Sequence, residues 1–205
     1  MGKQFNTERG RDRIKALTRE QVTALFRAAE DRPVRDRLIL AMIYKLAMRT
    51  QEVCDLPGDA VDTRRWEITV TGAKHGLTRT YTVPRDLRPL VRAWEKERDR
   101  AAATYFTGRQ GPLARVRVWQ IFRESADAIG LARQSDKGKA RGFGVHSLRH
   151  AACMHALDEG VTGDDLRDLL RHRDLGSTSV YANLSTKRRN GYLERLERGL
   201  VKVGR

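Results

Sequence analysis

Apolar residues recur every three or four positions along most of the chain, which is typical of amphipathic helices. Thr18 and Gln21 form a capping pattern in front of an apolar stripe from Val22 to Ala29, so a first helix is predicted to begin at Thr18. Gly160 follows a later stripe and is expected to end that helix as its C′ residue. Further helices are predicted over residues 35–48, 50–56, 87–103, 116–129, 146–159, 162–171 and 185–200.

Between residues 66 and 83 the apolar pattern changes from helical spacing to alternation. Segments 66–70 and 78–83 alternate, and a Gly-containing turn that carries Lys74 separates them, which predicts a β-hairpin. A short strand before the hairpin is an open alternative. The expected fold class is therefore mainly α with a small antiparallel β-sheet (α+β).

The charge of the chain points to a polyanionic partner. There are 41 Lys and Arg residues against 26 Asp and Glu, a formal net charge of +15. Such an excess favours nucleic acid over an acidic protein or a membrane surface, while the alternative is a solvated arginine-rich surface. Residues 1–16 are interpreted as a flexible basic arm and 132–144 as a flexible basic loop. In that loop Lys137, Lys139 and Arg141 are candidate contacts to DNA phosphates.

Several other classes of protein are disfavoured. No apolar run approaches the roughly 18 residues of a membrane span, and the charged N-terminus does not resemble a secretion signal. The cysteines are Cys54 and Cys153, far apart in sequence, which suits a reducing cytoplasm. His146, His150 and His155 share one predicted helix but lack a suitably placed carboxylate, and there is no Gly-rich phosphate loop. Neither a metal nor another cofactor is expected.

The candidate chemistry lies in the C-terminal half. His146 and Arg149 are one helical turn apart, so both can point to one spot at a helix N-terminus, where a phosphate would also meet free N–H groups. Tyr181 follows His172 by nine residues, and a tyrosine becomes a nucleophile when its proton is removed and cations lie nearby. Taken singly, each has a simpler interpretation: Tyr181 as a packing residue, His172 as a helix C-cap.

Arg49 is a further candidate. It stands between an apolar helix and a short helix capped by Thr50, where a charge needs solvent or a partner. Glu52, three residues on, is the simplest partner. Lys74 in the hairpin turn has a solvated side chain as its simplest interpretation.

Taken together, these residues resemble the tyrosine recombinase (phage integrase) family. That family has His-x-x-Arg, a Leu-Gly-His-like turn and a Tyr nine residues after that His, and it has an Arg followed three residues later by Glu or Asp. This chain has His146 and Arg149, the segment 170–172, Tyr181, and Arg49 with its acidic partner. It departs at Arg171, where the family usually has Gly. Either the turn is made in another way, or Arg171 adds a DNA contact.

The resemblance implies a catalytic-domain fold of that family and a chemistry. Tyr181 would attack a DNA phosphorus, Arg49 and Arg149 would clamp the non-bridging oxygens, and Lys74 would donate a proton to the departing 5′ oxygen, with Arg79 as a weaker rival and as a DNA contact. The two histidines would hydrogen-bond to the phosphate or assist with protons. The product is a 3′-phosphotyrosyl intermediate that a second 5′-hydroxyl attacks, without metal or nucleotide hydrolysis.

The resemblance covers roughly residues 17–200, interpreted as one catalytic domain without the separate N-terminal core-binding domain of most members. The chain would then be either a catalytic domain cut from a larger protein or a naturally short recombinase, like the fimbrial phase-switch invertases. The helix over 185–200 would fold back or dock on a neighbouring subunit. Implied partners are double-stranded DNA, further copies of the chain as a dimer or tetramer on DNA, and accessory DNA-bending proteins in some systems, but no membrane. A cytoplasmic protein of bacterial, archaeal, phage or plasmid origin is expected.

Other functions stay open on the sequence. A regulator with this fold could bind DNA without cleaving it, a reading that Arg171 favours. A relaxing enzyme of the type IB topoisomerase kind would use the same tyrosine chemistry without strand exchange. An RNA-binding protein is disfavoured because aromatic residues make up only 6% of the chain.

Overall fold

The computed structural model describes residues 16–72, 77–109, 111–131, 135–136, 139–140 and 143–171. Its α-helices are α1 (Arg19–Ala28), α2 (Val34–Lys45), α3 (Thr50–Cys54), α4 (Arg88–Glu97), α5 (Arg115–Asp127), α6 (Val145–Asp158) and α7 (Gly163–Leu169). Its strands are β1 (Val61–Asp62), β2 (Glu67–Thr71), β3 (Thr78–Thr82), β4 (Thr107–Gly108), β5 (Gly111–Pro112), β6 (Ser135–Asp136) and β7 (Lys139–Ala140). The fold is therefore mainly α with small antiparallel sheets, as the sequence predicted.

Helix α2 lies at the centre of the core because its sequence is apolar on nearly all sides. Its residues from Leu38 to Ile43 are buried, and it packs against α4, α5 and α6. A helix of this kind is stable only when neighbours cover every face. The chain leaves α2 at Leu46 and turns through Ala47, which has a φ of +45°, before α3 begins. This turn lies against α6 and so brings the start of α3 to the helix that carries Arg149.

The three-stranded sheet has the order β1-β2-β3 and is antiparallel throughout. Ile68 and Val70 on β2 are buried, while the alternating Thr69 and Thr71 hydrogen-bond to threonines of β3 on the exposed face. Ile68 lies opposite Tyr81 in the register. The predicted hairpin is confirmed, as is the short strand before it; the turn with Lys74 lies outside the described residues.

The predicted helix ends are mostly confirmed. Thr18 and Gln21 form a reciprocal capping box, as do Thr162 and Asp165. Gly160 adopts a φ of +94° after α6, in agreement with its prediction as the C′ residue.

The predicted helix over 87–103 was wrong in its extent. Helix α4 ends at Glu97, and Arg98 is extended, with its guanidinium paired with Glu95 at 2.9 Å and stacked 4.8 Å from the ring centre of Tyr105. The side chain of Asp99 then accepts a hydrogen bond from the N–H of Ala101 and closes a turn. The chain thereby reverses early enough for the next aromatic residues to enter the core.

The segments predicted as loops contain short ladders. Strands β4 and β5 pair within the Gly/Pro segment 107–113, and β6 pairs with β7 within 132–144. The basic arm before residue 16, the side chains of 132–142 and everything from residue 172 onwards lie outside the described residues, including the helix predicted over 185–200. Among the helices of the described chain, none has the length and apolar character needed to cross a membrane.

Candidate active site

The site is organised around Glu52, whose side chain is completely buried at the start of α3. Glu52 occupies the third position of this helix, and its carboxylate accepts the backbone N–H of Arg49 at 2.8 Å, which caps the helix. The guanidinium of Arg49 donates to the other carboxylate oxygen, also at 2.8 Å. The ion pair between Arg49 and Glu52 that the sequence suggested is therefore present. It holds Arg49 in place, and 29% of the Arg49 side chain stays exposed.

Helix α6 supplies the second arginine. Arg149 is buried, donates from Nη1 to the carbonyl oxygen of Ala47, and lies 3.6 Å from Oε2 of Glu52. Burial, followed by the neighbouring Arg49, lowers the pKa of Arg149 to about 10 against the opposing effect of Glu52. The group nevertheless stays protonated at neutral pH, so the site holds a buried cation.

His146 lies in the first turn of α6, one turn before Arg149, and the residue as a whole is exposed to solvent. Partial burial of the ring, then Arg149 and Arg49, lower the pKa of His146 below the ordinary 6.5. His150, one turn further on, has its pKa lowered to about 4 by burial and by His146 and Arg149. Both rings are therefore neutral at pH 7 and can donate or accept a hydrogen bond.

The end of α7 supplies the third arginine. Arg171 keeps the left-handed backbone that a glycine would favour, with a φ of +58°. Its side chain has no exposed surface and donates to Oε2 of Glu52 at 2.7 Å. The structure thus places Arg171 inside the protein, on Glu52, and not on a surface that faces DNA. The interpretation of Arg171 as a DNA contact does not fit this position, because a buried, ion-paired guanidinium cannot reach a phosphate.

The pKa of Glu52 reflects this crowding of cations. Burial alone would raise it, but the ion pair and hydrogen bond with Arg171, the N–H of Arg49 and the charge of Arg149 outweigh burial and lower the pKa to about 2. Three guanidinium groups and one carboxylate leave two positive charges among these four side chains. Guanidinium groups held this close together favour the binding of an anion.

The β-hairpin is tied to the same place. Tyr81 on β3 donates its hydroxyl to the carbonyl of Asp168 at 3.0 Å, and the guanidinium carbon of Arg171 lies 5.6 Å from its ring centre. Arg79 pairs with the carboxylate of Asp168 at 2.5 Å, and 38% of its side chain is exposed. The strand leading from the Lys74 turn is therefore fixed to the end of α7. No sequence pattern indicated Tyr81 or Asp168, since their role arises from a contact between segments almost ninety residues apart.

Of the residues predicted from the sequence, Arg49 and Arg149 are brought together around Glu52, and His146 lies one turn before Arg149. Lys74, His172, Tyr181, Lys137 and Arg141 lie outside the described residues, and only the backbone of Lys139 is described. Their roles remain predictions, as does DNA binding by Arg79. Within the described part of the chain no three His, Cys, Asp or Glu side chains are grouped as metal ligands would be.

Comparison with known proteins agrees with the geometry. The profile of the phage integrase family matches residues 15–188. Tyrosine recombinase XerA of Thermococcus kodakarensis is 29% identical over 177 residues, which cover 84% of this chain and 59% of that protein. The chain therefore spans about three fifths of the length of this relative.

Two solved structures show the same fold. The crystal structure of XerA recombinase aligns with a TM-score of 0.71 at 18% identity, covering 92% of this chain and 66% of that one. XerH site-specific recombinase, bound to difH substrate in a pre-cleavage complex, aligns with a TM-score of 0.68 at 17% identity, covering 82% of this chain and 50% of that one. A buried carboxylate shared by three arginines, a histidine one turn before the second, and a profile match over most of the chain lead to one conclusion: the chain belongs to the phage integrase family.

Proposed function

We propose that this chain carries the catalytic domain, over residues 17–200, of a site-specific DNA recombinase that breaks and rejoins DNA through Tyr181. The observation that carries the proposal is the placement of Arg49 and Arg149 around the buried carboxylate of Glu52, with His146 one helical turn before Arg149. The relatives are named tyrosine recombinases, and the XerH structure is described as a complex with its DNA substrate before cleavage.

The described residues account for the binding of a phosphodiester. Arg49 is held by Glu52 but is partly exposed, and Arg149 lies behind it with its charge preserved. Guanidinium groups at fixed positions stabilise the charge that builds on the non-bridging oxygens as phosphorus becomes five-coordinate. They need no reorganisation during the reaction, because Glu52 and the carbonyl of Ala47 already orient them. His146 lies beside them as a neutral hydrogen-bonding group.

The remaining steps are assigned to residues outside the described part of the chain. Tyr181 gives up its hydroxyl proton to one of the histidines, His146 or His172, and its oxygen bonds to phosphorus as the bond to the 5′ oxygen breaks. Lys74 gives the 5′ oxygen a proton, and the other histidine hydrogen-bonds to the phosphate. The phosphotyrosine bond retains the energy of the diester, so the reverse attack by a second 5′-hydroxyl rejoins the strands.

The substrate and partners follow from the same proposal. Double-stranded DNA suits the net charge of +15, and exposed Arg79 next to the hairpin is a candidate phosphate contact. Two exchanging DNA ends require more than one active site, so we propose that copies of the chain assemble on DNA. The relative from Thermococcus kodakarensis is archaeal, and we place the reaction in the cytoplasm of such a cell or of a bacterium.

Covalent trapping tests this proposal directly. The full chain is incubated with a library of nicked random-sequence duplexes, and an adduct that survives denaturation is sought. We expect an adduct that Tyr181→Phe abolishes and that Tyr105→Phe, a change in a buried core ring, leaves intact. Binding of selected DNA without any adduct would replace the proposal with a non-cleaving regulator. Relaxation of supercoiled DNA by the monomer, with no sequence preference, would replace it with a topoisomerase of the IB kind.

A further inference from the structure

Arg171 occupies a backbone position that disfavours it. Its φ of +58° lies in the left-handed region, where a side chain other than glycine is strained. We infer that Arg171 is a positioning residue of the active site: it takes the short ion pair with Oε2 of Glu52 and thereby keeps the guanidinium of Arg149 from closing onto that oxygen. The inference rests on the proposed function and assigns a role to the residue that departs from the family pattern.

The contacts of the Arg171 side chain explain why this strained position is kept. The guanidinium joins three separate segments of the chain, through Glu52, through the carbonyls that follow α2, and through the hairpin. Its acceptors are Oε2 of Glu52 at 2.7 Å, the carbonyls of Leu169 at 2.8 Å, Ala47 at 3.1 Å and Leu46 at 3.4 Å, and the hydroxyl of Tyr81 at 3.2 Å. A planar fork with several donors can make these contacts together, whereas a lysine cannot.

Arg171 shares two acceptors with Arg149. Both donate to the carbonyl of Ala47, and both face Oε2 of Glu52, which lies 2.7 Å from Arg171 but 3.6 Å from Arg149. Without Arg171 the Oε2 atom of Glu52 would lose its short ion pair, and Arg149, 3.6 Å from the same oxygen, is placed to replace it, while Arg49 stays on Oε1. An Arg149 drawn onto Glu52 would lose both its position and part of its effective charge towards a phosphate.

The burial of the Arg171 side chain distinguishes a positioning role from a direct contact with DNA. The Arg171 side chain has no exposed surface, while that of Arg49 is 29% exposed. Loss of Arg171 should therefore change the rate of the chemical step and not the affinity for DNA. A misplacement of about 1 Å at a reacting centre can cost about 100-fold in rate, which sets the size of the expected effect.

The test compares Arg171→Gly in two backgrounds, using single-turnover cleavage of a nicked substrate at saturating DNA by the full chain. In the wild-type background we expect a loss of roughly 100-fold in cleavage rate with less than about a threefold change in the Kd for DNA. In the Glu52→Gln background residue 52 carries no charge that could draw in Arg149, so the further loss on changing Arg171 should be less than about tenfold. Gln at position 52 can still accept the N–H that Glu52 now accepts from Arg49.

Two further variants keep the outcome decisive. Arg171→Gln removes the charge but keeps much of the volume, and it replaces Arg171→Gly in the same comparison if the glycine variant does not fold. Arg98→Gln removes another buried, ion-paired arginine that stacks on Tyr105 away from the site, and it should lower stability without changing the cleavage rate.

An equal fold loss in both backgrounds would overturn the inference, because Arg171 would then act independently of Glu52. A rise in Kd without a change in rate would also overturn it and would make Arg171 a DNA contact. If the wild-type chain itself forms no adduct, the proposed function fails first, and this result is distinct from either outcome.

Discussion

Replacing Glu52 with glutamine removes the carboxylate that Arg49, Arg149 and Arg171 share, with little change in shape. The buried side chain of Glu52 takes a short ion pair from Arg171, a second from Arg49 and the longer contact from Arg149. Glutamine keeps an oxygen that can accept the N–H of Arg49, so helix α3 stays capped. The substitution therefore changes the charge of residue 52 and little else, and the variant should be folded but less stable.

The pKa of Glu52 gives the size of the effect. Its fall from the ordinary 4.5 to about 2 means that the folded state favours the charged carboxylate by about 3 kcal/mol at neutral pH. Because the folded pKa is the lower one, this stability is fully present above pH 4.5 and is lost as the pH falls towards 2. Near pH 3 about half of it should remain.

Urea denaturation from pH 7 down to pH 3 measures this contribution. Glu52→Gln should unfold with a free energy about 3 kcal/mol below that of the wild type at pH 7, and the gap should narrow below pH 4.5. Glu97→Gln, at the exposed end of α4, is the matched control and should stay within about 0.5 kcal/mol at every pH. A gap near zero at pH 7, or one that does not change with pH, would refute the assignment of Glu52 as the counter-ion of the cluster.

Two further outcomes are expected. A Cβ on Gly58 would lie 2.4 Å from the carbonyl oxygen of Ala102, so Gly58→Ala should lower the free energy of unfolding in urea by about 1–3 kcal/mol. Gly163 has open space around it, so Gly163→Ala should not lower this free energy. Equal losses in the two variants would contradict the packing. The pKa of His146 measured by NMR should lie below 6.5, because burial and the charge of Arg149 both disfavour the protonated ring. Arg149→Met should raise this pKa part of the way towards 6.5. An unchanged pKa would show that Arg149 does not act on His146.

Local patterns in the sequence predicted what depends on local physics. The capping box at Thr18, the C′ glycine at 160 and the alternation of the hairpin each follow from contacts within a few residues, and each is confirmed. The end of α4 was missed because Arg98 leaves the helix to stack on Tyr105, a contact that apolar periodicity does not contain. The pairing of Arg49 with Glu52 was within reach, since the two are one turn apart.

Local sequence patterns could not predict that three arginines share the carboxylate of Glu52. Its other partners, Arg149 and Arg171, come from segments 97 and 119 residues away, and only the packing of α6 and α7 against the end of α2 brings them there. On the sequence Arg171 stood only as a departure from a glycine, and a surface role was the natural interpretation of one more arginine in a basic chain.

The buried cluster also connects stability with function. A carboxylate that served three arginines equally would stabilise the fold and leave a phosphate little to gain. Here Glu52 is closest to Arg49 and Arg171, while Arg149 stays 3.6 Å away and donates to the carbonyl of Ala47. The carboxylate thus neutralises part of the charge of the three arginines, and Arg149, the one furthest from it, lies one turn after His146 at the start of α6. A bound phosphodiester would place negative charge against guanidinium groups that are already oriented, and these groups would stabilise the further charge that develops in the transition state.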